Sequence, residues 1–116
     1  MRVADIAPML NGTIVGGIEA ADKEANGGYV SDLLSDVMGN ANAGDVWVTI
    51  QKHVNTIAVA HLRDIAAIVL ANGRQPEDET VRRAAEEQVP VILTQLPVFD
   101  VAGILYGVGL RGGRKP

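Results

Sequence analysis

Short aliphatic and β-branched runs recur along this chain, and stretches with helical spacing lie between them. The runs are Thr13-Ile14-Val15, Val46-Trp47-Val48-Thr49-Ile50, Ile65 to Leu70 and Val91-Ile92-Leu93. Runs this short and this uniformly apolar suit strands covered on both faces. Leu33, Leu34, Val37 and Met38 share one helical face, and Val54, Ile57, Ala58 and Leu62 share another. Val81, Ala84, Ala85 and Val89 mark a third, and Val98, Val101, Ala102 and Leu105 a fourth. Strands alternating with helices join as parallel neighbours through helical crossovers. The expected fold is a three-layer α/β domain over residues 1–110, with a mostly parallel central sheet of four or five strands flanked by helices. Residues 111–116 read as a flexible basic tail.

Punctuation supports these boundaries. Pro8 limits a first helix beginning at Val3 to a turn or two. Ala20 to Ala25 is polar and reads as a connection. Ser31 or Asp32 is placed to cap the next helix, and Gly39 to end it in the left-handed conformation. Asn72-Gly73 is a turn pair. Glu77, Asp78 and Glu79 follow Pro76 at a helix start, where acids complement the dipole. Pro90 ends that helix, Pro97 opens the last one, and Gly107 and Gly109 end it.

The 116 residues carry ten basic and fourteen acidic side chains, a net charge of −4. That balance disfavours nucleic acid, whose binding rests on neutralising phosphates. Only Tyr29, Trp47, Phe99 and Tyr106 are aromatic, so stacking platforms for bases are scarce. There is no cysteine, which removes disulfides and thiolate chemistry and fits a cytoplasmic protein. No long apolar run follows Met1-Arg2, so no signal peptide is expected. The stretch from Val54 to Leu62 is far too short to span a bilayer, and no membrane partner is expected.

Enzyme signatures mostly fail. A phosphate-binding loop needs a lysine after a glycine-rich turn and a Ser or Thr next. Lys23, Lys52 and Lys115 are all outside such a setting. Gly107-Val108-Gly109-Leu110-Arg111-Gly112 matches GxGxxG by letters, but it follows a helix rather than a strand, so no pyrophosphate site is expected there. His53 and His61 lie about 12 Å apart if the intervening residues are helical, too far to share a metal. Neither metal nor cofactor is expected. Gln51, His53 and Asn55 directly follow a buried strand, where ligand crevices open in α/β sheets. They also suit capping of the next helix. A small enzyme using His53 is the remotest of the readings.

The stretch Asn26 to Asn40, NGGYVSDLLSDVMGN, poses one question. Gly27 and Gly28 are able to take positive φ and bring backbone N–H groups to a cleft. Ser31 and the helix start behind it suit an anion, while Asp32 and Asp36 oppose one. The alternatives are a tight turn with a cap, or a ligand site where Gly27, Gly28, Tyr29 and Ser31 meet Gln51, His53 and Asn55.

Several runs together resemble the DRTGG domain family. They are Glu24-Ala25-Asn26-Gly27-Gly28, Tyr29 to Ser35, Gly44 to Gln51, His53-Val54-Asn55 and Ala58-Val59-Ala60. Of the five name-giving letters only Gly27 and Gly28 agree; Glu24, Ala25 and Asn26 stand where Asp, Arg and Thr occur, so a role tied to that Arg does not carry over. The resemblance implies a fold similar to the N-terminal domain of HPr kinase/phosphorylase, without that enzyme's phosphate loop and so without its kinase activity. Elsewhere the domain accompanies CBS pairs in regulated pyrophosphatases and occurs in phosphotransacetylases, where it is regulatory and helps subunits associate.

The resulting expectation is a non-catalytic regulatory domain that self-associates and acts through protein partners. The alternative is a sensor of a nucleotide or phosphorylated metabolite. The last helix is apolar nearly all round, which marks a helix buried on both sides. Phe99, Ile104 and Val108 are therefore expected at a homodimer interface.

Overall fold

The structure, a computed structural model, describes residues 1–113. Five strands form one sheet: β1 (Thr13–Val15), β2 (Gly27–Val30), β3 (Asp45–Thr49), β4 (Ala67–Leu70) and β5 (Val91–Leu93). Their spatial order is β1-β5-β4-β3-β2. β2, β3, β4 and β5 run parallel, and β1 pairs antiparallel with β5 as an edge. The helices are α1 (Val3–Met9), α2 (Leu34–Asn40), α3 (Asn55–Leu62), α4 (Asp78–Glu87) and α5 (Val98–Gly107).

Successive crossovers β2-α2-β3-α3-β4-α4-β5 step along the sheet in one direction, so one face receives three helices. Side chains alternate across each strand, and β3 shows the consequence. Trp47 packs with Val37 of α2, Ile57 and Ala60 of α3 and Ala84 of α4. Val46 and Val48 point the other way and pack with Val3, Ile6 and Leu10 and with Val101 and Leu105 of α5. The three-layer α/β expectation agrees with this architecture.

Three local expectations need correction. Gly27 and Gly28 are not a turn: they begin β2, and neither has positive φ. The ladder to β3, Gly27 opposite Asp45 through Val30 opposite Val48, holds them extended. Neither Ser31 nor Asp32 caps α2. The cap position is Leu33, and Ser31 Oγ instead accepts from its N–H at 3.1 Å. Gly39 lies inside α2, which runs on to Asn40 without a left-handed residue.

The start of the expected tail is also held in place. The Gly28 N–H donates to the Arg111 carbonyl at 3.1 Å, and Asn42 Nδ2 to the Gly113 carbonyl at 2.7 Å. Edge strand β2 therefore has one group of its outer row satisfied by Arg111. Arg114, Lys115 and Pro116 lie outside the described residues.

Candidate functional site

The loops after the parallel strands are pinned by hydroxyls and amides. Thr56 Oγ1 donates to the His53 carbonyl and Thr80 Oγ1 to the Lys52 carbonyl, both at 2.8 Å. Gln51 Nε2 donates to the Asp32 carbonyl at 2.8 Å, so the loops after β2 and β3 meet. His53 Nδ1 lies 2.9 Å from Glu77 Oε2, which ties the same loop to the start of α4. That pair is exposed on both sides, so it adds little stability.

The residues singled out in the sequence are thus distributed along β2 and its surroundings. Ser31 and Gln51 are brought together at the carboxyl ends of β2 and β3, and His53 sits beyond them toward α4. Gly27 lies at the other end of β2, about 13 Å from Ser31 along an extended strand. Tyr29 turns to the face of α2, where its hydroxyl donates to Asp36 Oδ2 at 2.9 Å. Asn55 opens α3, is exposed, and makes no side-chain hydrogen bond among the described residues.

Tyr29, Asp36 and Asn40 form one small network. Asn40 Nδ2 donates to the second Asp36 oxygen at 3.0 Å. Burial pushes the Tyr29 phenol up, and the Asp36 carboxylate beside it acts in the same direction. Hydrogen bonds from Tyr29, then Ser31 and Asn40, hold the Asp36 carboxyl below its ordinary value. Negative charge is therefore stabilised in the first turn of α2, where an anionic ligand would meet repulsion.

On the opposite face, two clefts adjoin along β2. One, of about 150 Å³, lies between Gly28, Val30 and Val48 and the α5 residues Ala102, Leu105 and Tyr106. The other, of about 210 Å³, reaches from Val30 and Val48 through Ser31 and Asp32 to Val98. The elements that border them carry exposed apolar side chains. Phe99 is 86 % exposed, Leu33 61 %, Tyr106 60 %, Val30 50 % and Val108 40 %. Ile104, expected to look outward, is instead half-buried against the core beside Val101 and Leu105. Tyr106 takes its place on the surface, one helical turn below Ala102 and Gly103, with the Arg111 guanidinium 3.7 Å above its ring. Helical spacing from Phe99 pointed to Tyr106; the uniform hydrophobicity of α5 hid which side faced the sheet.

Among the described residues, no three His, Cys, Asp or Glu side chains gather as a metal-binding group. No helix there is long and apolar enough to cross a membrane.

No curated protein matches the chain. A solved structure of the CBS and DRTGG domains of the regulatory region of Clostridium perfringens pyrophosphatase, complexed with the activator diadenosine tetraphosphate, is similar in fold. The TM-score is 0.69 at 14 % identity, over 90 % of this chain and 45 % of that one, so this chain spans less than half its length. The profile of the DRTGG domain matches residues 5–108, nearly the whole chain, and the protein therefore belongs to the DRTGG domain family.

Proposed function

We propose that this domain is non-catalytic and regulates by self-association, as a homodimer formed through the outer face of α5 and the adjoining edge of β2. The observation that carries this reading is the exposure of Phe99 and Tyr106, two turns apart on α5, and of Val30 on β2, which shares a cleft with Tyr106. Large exposed apolar patches mark interaction surfaces, and a stable pair needs roughly 800 Å² from each partner. Phe99 and Val108, with Ile104 in support beneath them, are the interface residues of this proposal. A cytoplasmic setting and regulatory protein partners belong to the same reading; a chain without cysteine asks nothing of an oxidising compartment.

Light scattering at micromolar concentration tests it. The expected mass is twice 12.2 kDa, falling to the monomer in a Phe99→Asp/Tyr106→Ser double variant whose melting is unchanged at low concentration. A monomeric wild-type chain, or a dimer indifferent to both substitutions, would refute it.

A second reading is favoured by the activator bound in the similar pyrophosphatase structure. In it, the domain senses a nucleotide or phosphorylated metabolite, with Ser31, Gln51 and His53 at the carboxyl ends of β2 and β3 as its contacts. Gly27, Gly28 and Tyr29 would support the strand that carries Ser31, and Asn55 would lie at the rim.

A further inference from the structure

β4 and β5 are parallel neighbours, with Leu70 opposite Leu93 at their carboxyl ends. The chain leaves them in opposite directions. After β4 it enters α4, whose Ala84 packs on the Trp47 face of the sheet. After β5 it enters α5, whose Val101 and Leu105 pack on the Val46 and Val48 face. Loops that part in this way open a crevice beyond the strand ends, the place where open α/β sheets bind ligands. Such a crevice is present here. It measures about 310 Å³ and is lined by Gly73, Arg74 and Gln75 after β4, by Leu93, Thr94 and Gln95 at the end of β5, and by Asn11 and Thr13 where β1 begins. The volume is at the lower end of the range of small-molecule sites.

The lining has one kind of charge. Arg74 is its cation, and no carboxylate lines it, in a chain whose net charge is −4. Among the described residues the Arg74 guanidinium makes no ion pair or hydrogen bond, whereas Arg83 reaches Glu86 and Glu87, and Arg2 reaches Asp5. The side chains of Asn11, Thr13, Gln75 and Gln95 add neutral donors and acceptors. The frame is already set: Asn72 and Gly73 are both left-handed, at φ 62° and 68°. Their N–H groups donate to the carbonyls of Leu96 and Thr94 at 2.8 and 3.0 Å, which fastens the β4 loop to the β5 loop.

We propose that the crevice between the carboxyl ends of β4 and β5 binds a small sugar phosphate, with Arg74 holding the phosphate by its planar fork and the amide and hydroxyl side chains meeting the sugar. A guanidinium matches two oxyanion oxygens at once. No aromatic ring lines the crevice to stack a base, which sets a sugar phosphate ahead of a nucleotide. The inference goes beyond self-association and uses none of its residues.

Amide-resolved NMR titration of the full chain tests it, with glucose 6-phosphate, glucose, inorganic phosphate and AMP as probes. Glucose 6-phosphate is expected to saturate and to move the resonances of Gly73, Arg74, Gln75 and Gln95. Glucose is expected to move none, inorganic phosphate to bind more weakly at the same residues, and AMP to gain nothing over inorganic phosphate. Arg74→Gln should weaken glucose 6-phosphate about tenfold or more, and Arg74→Lys less, because a lysine keeps the charge and loses the fork. Both variants should keep the wild-type melting temperature and mass, since the side chain is exposed and unpaired. Saturation that maps elsewhere, equal affinity in Arg74→Gln, tighter binding of AMP, or no saturation by glucose 6-phosphate at about ten millimolar would overturn the proposal. A monomeric mass in these samples would count against self-association alone.

Discussion

The Tyr29 hydroxyl donates to the Asp36 carboxylate at 2.9 Å and so ties edge strand β2 to the helix that follows it. The two residues are seven positions apart, on either side of a loop in which only Ser31 supplies a local side-chain bond to the backbone, at the Leu33 N–H. Tyr29→Phe removes the bond while leaving the ring packed beside Trp47. The expected loss is at most about 1 kcal/mol, because a half-exposed hydrogen bond exchanges with water. Urea unfolding measures it, and a loss above about 3 kcal/mol would mean that the ring, not the hydroxyl, had moved.

The same pair gives stability a pH dependence of known sign. The folded protein holds Asp36 below its ordinary 3.8. Its contribution is therefore present above pH 3.8 and is lost as pH falls from there through the lower folded value. Tyr29 is raised from 10.0. Its contribution is complete below pH 10 and is lost as pH rises from there through the higher folded value. In Tyr29→Phe the alkaline loss from this group should vanish, and Asp36 should titrate closer to 3.8. Side-chain NMR of Asp36 across the acid range checks the second point; an unchanged Asp36 titration would show that Ser31 and Asn40 hold it unaided.

Three glycines should respond differently to alanine. At Gly17, with φ 55°, a Cβ would run into the backbone of Val89 and come 2.7 Å from the Pro90 nitrogen. Gly17→Ala should cost about 2 kcal/mol or more, since neither backbone atom has room to yield. Gly28 is extended, and its nearest atom would be the Val46 carbonyl oxygen at 3.9 Å. Gly28→Ala should stay within about 0.5 kcal/mol of wild type, against the sequence expectation of a turn glycine. Gly39 lies in α2 with nothing within 4 Å, and alanine there should stabilise by about 0.5–1 kcal/mol. Denaturation midpoints at constant slope report all three.

His53 offers a simpler case. Its ring meets Glu77 at 2.9 Å, but both side chains are about half exposed, at 60 % and 48 %. His53→Ala should change stability by less than about 1 kcal/mol, while the loop keeps its shape through the Thr56 and Thr80 hydroxyls. A larger loss in thermal melting would make His53 a structural residue and remove it from any sensing role.

The elements that the sequence announces are those whose residues match their burial. β3 and β4 are buried along their whole length, so apolarity alone marks them. β2 escapes notice because it is four residues long, begins with two glycines, and is an edge strand held by its ladder rather than by propensity. The outward side of α5 was equally hidden, because its periodicity is drowned in uniform hydrophobicity and only packing assigns Ile104 inward and Tyr106 outward. The β4–β5 crevice is invisible at residue level. Arg74 and Gln95 are ordinary loop residues until the strand order places their loops side by side.

Thr94 is where that crevice meets the core, and it gives the sharpest stability test. It is 4 % exposed. Its hydroxyl donates to the Leu10 carbonyl at 2.7 Å and accepts from the Leu96 N–H at 3.1 Å. One side chain thus joins the end of α1, the end of β5 and the approach to α5. Thr94→Val keeps the volume but leaves a buried carbonyl and an N–H without their partner. Each such group costs about 1–3 kcal/mol when buried; the Leu96 N–H is only part-buried and adds at the low end, so the variant should lose about 2–4 kcal/mol. Thr94→Ser keeps both bonds and loses one methyl, a cost of about 1 kcal/mol. The order wild type, serine, valine in urea midpoints is therefore expected, with valine last where a ranking by hydrophobicity would put it first. If valine equals or exceeds serine, the hydroxyl is not what holds the three segments together.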